Sequence, residues 1–255
     1  MPRIITCFKW VIDEADIKVV ADSRELLLER VSYKISDYDR NAIEEAVRLF
    51  EQHGGSVAAI TVGPPAAKKG LKDVLARGPE KAYFVNDSSF TELEPAQTAA
   101  ILAKAIQTRI EYDLIICGEG SSDLYAQQVG PRLAELLGIP CATFVNKLTL
   151  DGEQLIAERK IDDGIEVVAL TLPALVTVLP DINTPRIPGL KQTLEANKKP
   201  IVEITVKDLN QTFTPCLQTL KVRGTTMERN CQKFGAEPTE ISKFVEALLK
   251  EGVIA

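Results

Sequence analysis

Tyr112-Asp-Leu-Ile-Ile-Cys-Gly-Glu-Gly-Ser-Ser-Asp-Leu-Tyr-Ala-Gln-Gln-Val-Gly-Pro131 is the stretch around which the chain is organised. Leu114, Ile115 and Ile116 form a short continuous apolar run, the pattern of a strand covered on both faces of a parallel sheet. Gly118 and Gly120 follow, then Ser121, Ser122 and Asp123. Small residues let main-chain N–H groups approach a ligand, and hydroxyls, amides and a helix N-terminus can hold a phosphate. Beyond Gly130 and Pro131, the spacing of Leu133, Leu136 and Leu137 predicts an amphipathic helix that stops at Gly138. A strand, a glycine-bearing loop and a helix make the physical recipe of a nucleotide site, although many such turns carry Gly and Ser without a ligand.

Working outward, residues 4–8 read as the first strand, and Lys9 leaves it at the carboxyl edge, where open α/β sheets bind ligands. Residues 15–34 are mixed and charged and read as a hairpin or excursion. Ala42, Ile43, Ala46, Val47 and Phe50 recur at helical spacing up to Gly54-Gly55. A buried strand at 57–62, a helix at 66–76, a strand at 82–85 and a helix at 95–108 precede the quoted stretch. Strands alternating with helices over 1–140 predict a mostly parallel, Rossmann-like α/β sheet with helices on both faces. After Pro140 the pattern changes. Runs at 143–150, 154–159 and 165–172, separated by Asp151-Gly152 and Asp163-Gly164, predict an antiparallel extension made of hairpins. Residues 173–179 return to the main sheet, and 180–200 read as an exposed loop before a short helix. Residues 201–235 read as an extended arm. A terminal amphipathic helix at 239–249 carries Ile241, Phe244, Val245 and Leu248 on one face. The expected division is an α/β nucleotide-binding domain at 1–190 and a C-terminal arm with helix at 191–255.

The chain has 255 residues, 45% hydrophobic and 26% charged, and a net charge of −6. That balance disfavours a general nucleic-acid binder. No apolar run approaches the ~20 residues of a transmembrane segment, and the first residues read directly as a strand with no signal peptide. Cys7, Cys117, Cys141, Cys216 and Cys231 are scattered without C-x-x-C spacing, which fits free thiols in a reducing cytoplasmic setting and no metal ligand set. The single histidine, His53, sits in a polar run after a helix and reads as a solvated helix end. With no paired carboxylates and no Ser/His/Asp set, no catalytic residue is expected from the side chains. A nucleotide hydrolase of similar fold is a rival reading, and the lack of a P-loop speaks against it.

The stretch Ala157-Glu-Arg-Lys-Ile-Asp-Asp-Gly-Ile-Glu-Val-Val-Ala-Leu-Thr-Leu-Pro-Ala-Leu-Val-Thr177 resembles the signature of electron-transfer flavoprotein β subunits. The resemblance also takes in Cys7-Phe-Lys-Trp-Val-Ile-Asp, Asn41-Ala-Ile-Glu-Glu-Ala-Val-Arg, Thr61-Val-Gly-Pro64 and the run from Asn183 to Leu190. Ser122 to Pro131 and Pro180 to Pro188 look closest to the FixA-type branch. The resemblance implies a heterodimer with an α subunit that carries a shuttling FAD. It also implies a β site that holds AMP in ordinary members, or a second FAD that accepts hydride from NADH in electron-bifurcating ones. Bifurcating members typically carry Asp-Gly-Asp-Thr-Ala-Gln-Val-Gly-Pro; here Asp123, Gln128, Val129, Gly130 and Pro131 match and the middle departs. FAD is the preferred reading of this loop, and AMP stays open.

The cofactor-binding residues implied are Cys7 and Lys9 beyond the first strand, Asp39, which reads equally as a helix N-cap, and Val62 and Gly63 at a strand end. From the quoted stretch they are Cys117, Gly118, Gly120, Ser121, Ser122, Asp123, Ala126, Gln127, Gln128, Val129 and Gly130. Asp123 suits ribose hydroxyls or a loop-fixing role better than a phosphate. Leu190 aligns with the leucine by which family members dock on an acyl-CoA dehydrogenase-like or other flavin dehydrogenase. Ferredoxin or flavodoxin would be the low-potential acceptor of a bifurcating member. Lys160 stands where many members have an acid, so an interdomain salt bridge is not carried over to it.

Overall fold

The computed structural model of the chain describes residues 1–213, 217–225 and 231–254. They fall into two units, Met1–Lys18 with Leu27–Val222, and Val19–Leu26 with Arg223–Ala255. The chain opens with β1 (Arg3–Cys7) and passes through four short strands, β2 (Trp10–Ile12), β3 (Lys18–Val19), β4 (Leu26–Leu27) and β5 (Tyr33–Ile35). These pair as two ribbons, β2 with β5 and β3 with β4, which is the excursion expected over 15–34. Then come α1 (Asp37–His53), β6 (Ser56–Gly63), α2 (Lys69–Ala76), β7 (Lys81–Asn86), α3 (Pro95–Arg109), β8 (Leu114–Gly118) and α4 (Val129–Leu137). The antiparallel part is β9 (Cys141–Asp151), β10 (Gln154–Ile161) and β11 (Gly164–Thr171). It is followed by β12 (Ala174–Val178), α5 (Leu190–Ala196), β13 (Ile201–Thr205), α6 (Val206–Leu209) and α7 (Pro238–Lys250).

Among the described residues one sheet takes nine strands, in the order β11-β10-β9-β12-β8-β1-β6-β7-β13. All pairings from β9 through β12 to β13 are parallel; β9, β10 and β11 pair antiparallel. The mixed α/β class, with its antiparallel part and C-terminal helix, is as the residue pattern predicts. Side chains alternate across the sheet with period two. Ile5, Ile60, Ile115 and Leu175 pack on one face with Ile101, Ile106 and Leu133 of α3 and α4. Ile4, Leu114, Ile116 and Val176 pack on the other with Ala42, Ala46 and Leu49 of α1. That two-sided burial is why β8 and β12 show no polar residue facing solvent: every residue of both is buried.

The hairpins turn at Gly152-Glu153 and Asp162-Asp163, each a two-residue connection set by the registers Asp151–Gln154 and Ile161–Gly164. Gly152 takes φ 59° and Gly164 φ 151°, conformations that a side chain disfavours. The expected helix 66–76 is a 3-10 turn at Pro65–Lys68 running into α2.

The boundary expected at residue 190 moves. Ile201–Thr205 is a ninth strand, parallel to β7, and Leu209 of α6 is buried against the α3 side of the core. The arm reading of 201–235 therefore fails for its first part. This edge strand covers one residue on each face, Ile201 on the α2 side and Ile204 on the α3 side, too short a pattern to be told from a loop. Cys216 and the rest of 214–216 and 226–230 lie outside the described residues. Within the second unit, the Gly224 N–H donates to the Arg24 carbonyl at 2.9 Å, and the Phe234 ring lies 5.4 Å from that of Phe244 on α7. Among the described residues no helix is long and apolar enough to cross a membrane.

The loop after β12 is tied to α1. Asn41 Nδ2 donates to the carbonyls of Pro180 and Asn183, and Asn183 Nδ2 donates back to the Asn41 carbonyl and to Glu45. Arg186 forks onto Glu44 and Glu51 with bonds of 2.7–3.1 Å, a bidentate geometry on each carboxylate. Two of the motifs quoted above, Asn41-Ala-Ile-Glu-Glu and Asn183-Thr-Pro-Arg, thus hold one another. Lys160 pairs with Asp181.

Candidate functional site

The chain runs from β1 to β6 and β7 on one side, then crosses back over β1 to β8 on the other. At that reversal the connections leave β1 and β8 toward opposite faces of the sheet, which opens a crevice at their carboxyl ends. The crevice is bordered by Phe8-Lys9 after β1, by residues 119–128 between β8 and α4, and by the first turn of α1. It is the place in an open α/β sheet where a ligand is expected.

Asp39 closes the floor. It is the third residue of α1, not its cap; Ser36 holds the cap position. Its carboxylate accepts the Lys9 N–H at 2.8 Å and the Gly118 N–H, so one side chain binds the ends of both crevice strands. The N-cap reading is thereby replaced. Burial pushes the Asp39 carboxyl up to about 7, even though both N–H bonds and the Lys9 charge pull it down. Gly118 is needed by this packing: a Cβ there would stand 2.7 Å from Asp39 Oδ1 and 2.8 Å from the Tyr38 carbonyl carbon.

The loop 119–128 is pinned at three points. The Lys9 ammonium meets Asp123 at 2.6 Å. Burial raises the Asp123 carboxyl, but the Lys9 charge and the Ser121 and Leu124 donors outweigh it and hold it below the usual range. The Ser122 hydroxyl accepts the Asp37 N–H at 3.0 Å, and the Ser122 N–H donates to Ser36 Oγ. The Tyr125 hydroxyl donates to Glu119 at 2.6 Å, and its ring lies 5.0 Å from that of Tyr38. Tyr125 and Gln127 adopt φ 45° and 57°, left-handed values that cost a non-glycine residue about 1–2 kcal/mol. Beside the loop an open cleft of ≈ 370 Å³ is lined by Glu14, Asp37, Tyr38, Ser122 and Pro180.

Not every residue expected here faces the crevice. Cys7 and Cys117 are buried in the α3–α4 core, on neighbouring strands, and the bond to Cys7 together with burial pushes the Cys117 thiol up. Gly130 serves packing, since a Cβ would meet Thr177 Cγ2 at 2.4 Å. Gly63 sits close to Ala67, and Val62 packs on the core at the end of β6. Gln128 directs its amide oxygen to Arg132 Nε at 3.0 Å. Gly120 has an ordinary φ, and its lack of a side chain makes room for the Tyr125 ring. Ser121, Ala126, Gln127 and Val129 are half-buried along the loop. Leu190 lies apart from this edge, 77% exposed at the start of α5.

Glu119, Tyr38 and Tyr125 were not singled out in the sequence, although a carboxylate between two glycines was a visible signal. Charge-neutral first-turn N–H groups of α4 and the Lys9 ammonium are the groups able to meet a phosphate, and α4 has no side-chain cap competing for them.

The family model for the electron transfer flavoprotein domain matches residues 25–209. The chain belongs to the electron transfer flavoprotein family. The match spans α1 through α6 and so includes the whole 119–128 loop, Asp39 and the tied loop 180–188. Membership in this family agrees with a ligand crevice at the carboxyl ends of β1 and β8.

Proposed function

We propose that the chain is the β subunit, of the FixA type, of a heterodimeric electron-transfer flavoprotein, and that the crevice at β1 and β8 binds FAD. The observation that carries this reading is the meeting of Lys9, Asp39 and the 119–128 loop at the reversal point of a sheet whose family is that of electron transfer flavoproteins. The polar groups fit a dinucleotide: α4 N–H groups and Lys9 for phosphate, Asp123 and the serines for hydroxyls. When bound, the flavin would supply the redox chemistry, accepting hydride from NADH and passing single electrons onward; the chain positions it and excludes water. The α subunit would carry the second FAD, and a ferredoxin or flavodoxin would take the low-potential electron in the cytoplasm. Leu190, with exposed Ile187 and Leu194, offers an apolar patch for a flavin dehydrogenase.

Nucleotide released from the purified complex tests this directly. FAD in addition to the α-subunit FAD is expected; AMP in its place would make this a non-bifurcating subunit. Gly120→Val drives a side chain into the Tyr125 ring, 2.7 Å from where its Cβ would stand, and is expected to empty the β site while the α-site FAD remains. Unchanged occupancy in that variant would put the ligand elsewhere.

The second proposal concerns α7. Its Ile241, Phe244, Val245 and Leu249 are 40–51% exposed, an apolar stripe that we assign to the α subunit. Deleting residues 236–255 is expected to separate the two subunits on size exclusion at micromolar concentration. A truncated pair that stays associated and passes electrons normally refutes it.

A further inference from the structure

We infer that Tyr125 is a ring-contacting specificity residue of the nucleotide site, held in place by Glu119 and Gly120 so that its half-exposed ring stacks on the flat heterocycle of the ligand. This deepens the nucleotide reading above and rests on it.

Tyr125 is restrained from four directions and still shows 44% of its surface. Its hydroxyl donates to Glu119, whose residue is 7% exposed, at 2.6 Å. Its ring lies over Gly120 so closely that a Cβ there would come within 2.7 Å. Its N–H donates to the Ser121 carbonyl at 2.9 Å, and its ring centroid lies 5.0 Å from that of Tyr38 with 37° between planes. Its backbone is left-handed, where Gly or Asn would sit without strain. Folding alone gives no reason for this expense. A buried carboxylate is used to fix a phenol that contributes little core, and a strained backbone presents an aromatic ring to solvent. A fixed, half-exposed aromatic next to a cleft is what recognition of a planar π system needs, because ring faces prefer offset or tilted partners at a defined separation. The neighbouring Tyr38 lines the cleft, and the Tyr125 ring stands beside it with ring centroids 5.0 Å apart.

The test titrates the full-length protein with FAD and, separately, with AMP. Tyr125→Leu keeps a side chain of similar bulk without a π face, and Tyr125→Phe keeps the face without the hydroxyl. If the isoalloxazine stacks on Tyr125, the Leu variant binds FAD about tenfold more weakly with AMP unchanged, and the bound flavin emits more brightly because the quenching phenol is gone. If the adenine stacks there, FAD and AMP weaken together and the emission stays the same. In both cases the Phe variant remains within about threefold of wild type. Wild-type affinity for both ligands in the Leu variant overturns the inference and leaves the nucleotide reading standing. A Phe variant as weak as Leu also overturns it, by assigning the effect to the Glu119 bond instead of the ring. Wild-type protein that binds neither FAD nor AMP removes the nucleotide reading and this inference with it.

Discussion

Gly118→Ala is expected to destabilise the protein by about 2–4 kcal/mol and to disorder the crevice along with it. The added methyl would stand 2.7 Å from Asp39 Oδ1, 2.8 Å from the Tyr38 carbonyl carbon and 2.9 Å from Tyr38 Cβ. Two of these are not ends of flexible side chains: one is main chain in the first turn of α1, the other a carboxylate fixed by two N–H bonds. The helix would have to move away from β8. That would lengthen the Gly118 N–H bond to Asp39 and shift Asp37, whose N–H holds Ser122. Overpacking alone costs about 1–3 kcal/mol, and a weakened buried hydrogen bond adds to it. Urea denaturation followed by circular dichroism gives the stability change, and the nucleotide content of the surviving folded fraction reports on the site. A variant with wild-type midpoint would mean that α1 is not packed on β8 as described. Gly138→Ala is the control for the backbone class: its φ of 67° makes it strained, but nothing lies within 4 Å of its Cβ.

Asp39→Ala is the other substitution with a large expected effect, and it carries a pH signature. Removing the carboxylate leaves the Lys9 and Gly118 N–H groups without their partner, at about 1–3 kcal/mol for each. Wild-type Asp39 also couples folding to protons. Its folded-state carboxyl is raised by burial to about 7, against an unfolded value of about 3.9. Between these values the folded protein binds the proton more tightly than the unfolded chain. The contribution of this group is therefore fully present below pH ~4 and is lost as pH rises through ~7. Other carboxylates act in the opposite sense: Glu44, Glu51, Asp113 and Asp123 are all held below their usual range by cations or donors. The wild-type curve alone would thus mix the two. The difference between wild type and Asp39→Asn isolates the group, because Asn does not titrate. That difference is expected to shrink steadily from pH 4 to pH 7 and then level off. A difference flat across this range would show that Asp39 stays ionised in the folded protein.

Sequence reasoning reached the alternation of strands and helices because each of those elements announces itself locally. Ile4 and Ile5, or Leu114 to Ile116, are buried on both faces and so read as unbroken apolar runs; α1 shows a single apolar stripe facing the sheet. The hairpins were equally legible, since Gly152 and Gly164 occupy conformations that only glycine adopts without cost. β13 was not. It has five residues at a sheet edge, and its parallel partner, β7, lies more than 110 residues away in sequence, so nothing local marks it as a strand. The resemblance at 157–177 pointed to the family, and the match over 25–209 established it.

The site divides in the same way. By itself the sequence determined that a glycine-bearing loop follows a buried strand, and that Lys9 and the 119–128 loop would lie at carboxyl strand ends, because strand direction and short connections leave them nowhere else. What each glycine is for was decided only by tertiary structure. Gly118 admits α1 and Gly130 admits Thr177, neighbours that chain crossing brings there, and Gly120 admits the Tyr125 ring folded back within its own loop. Asp39 reads as a cap in one dimension because it begins a helix. It becomes the buried acceptor for two strands only when α1 is laid across β1 and β8. Cys7 and Cys117 turn into the core because period-two alternation sends them to the α3–α4 face, while Glu119, just beyond the end of β8, holds Tyr125.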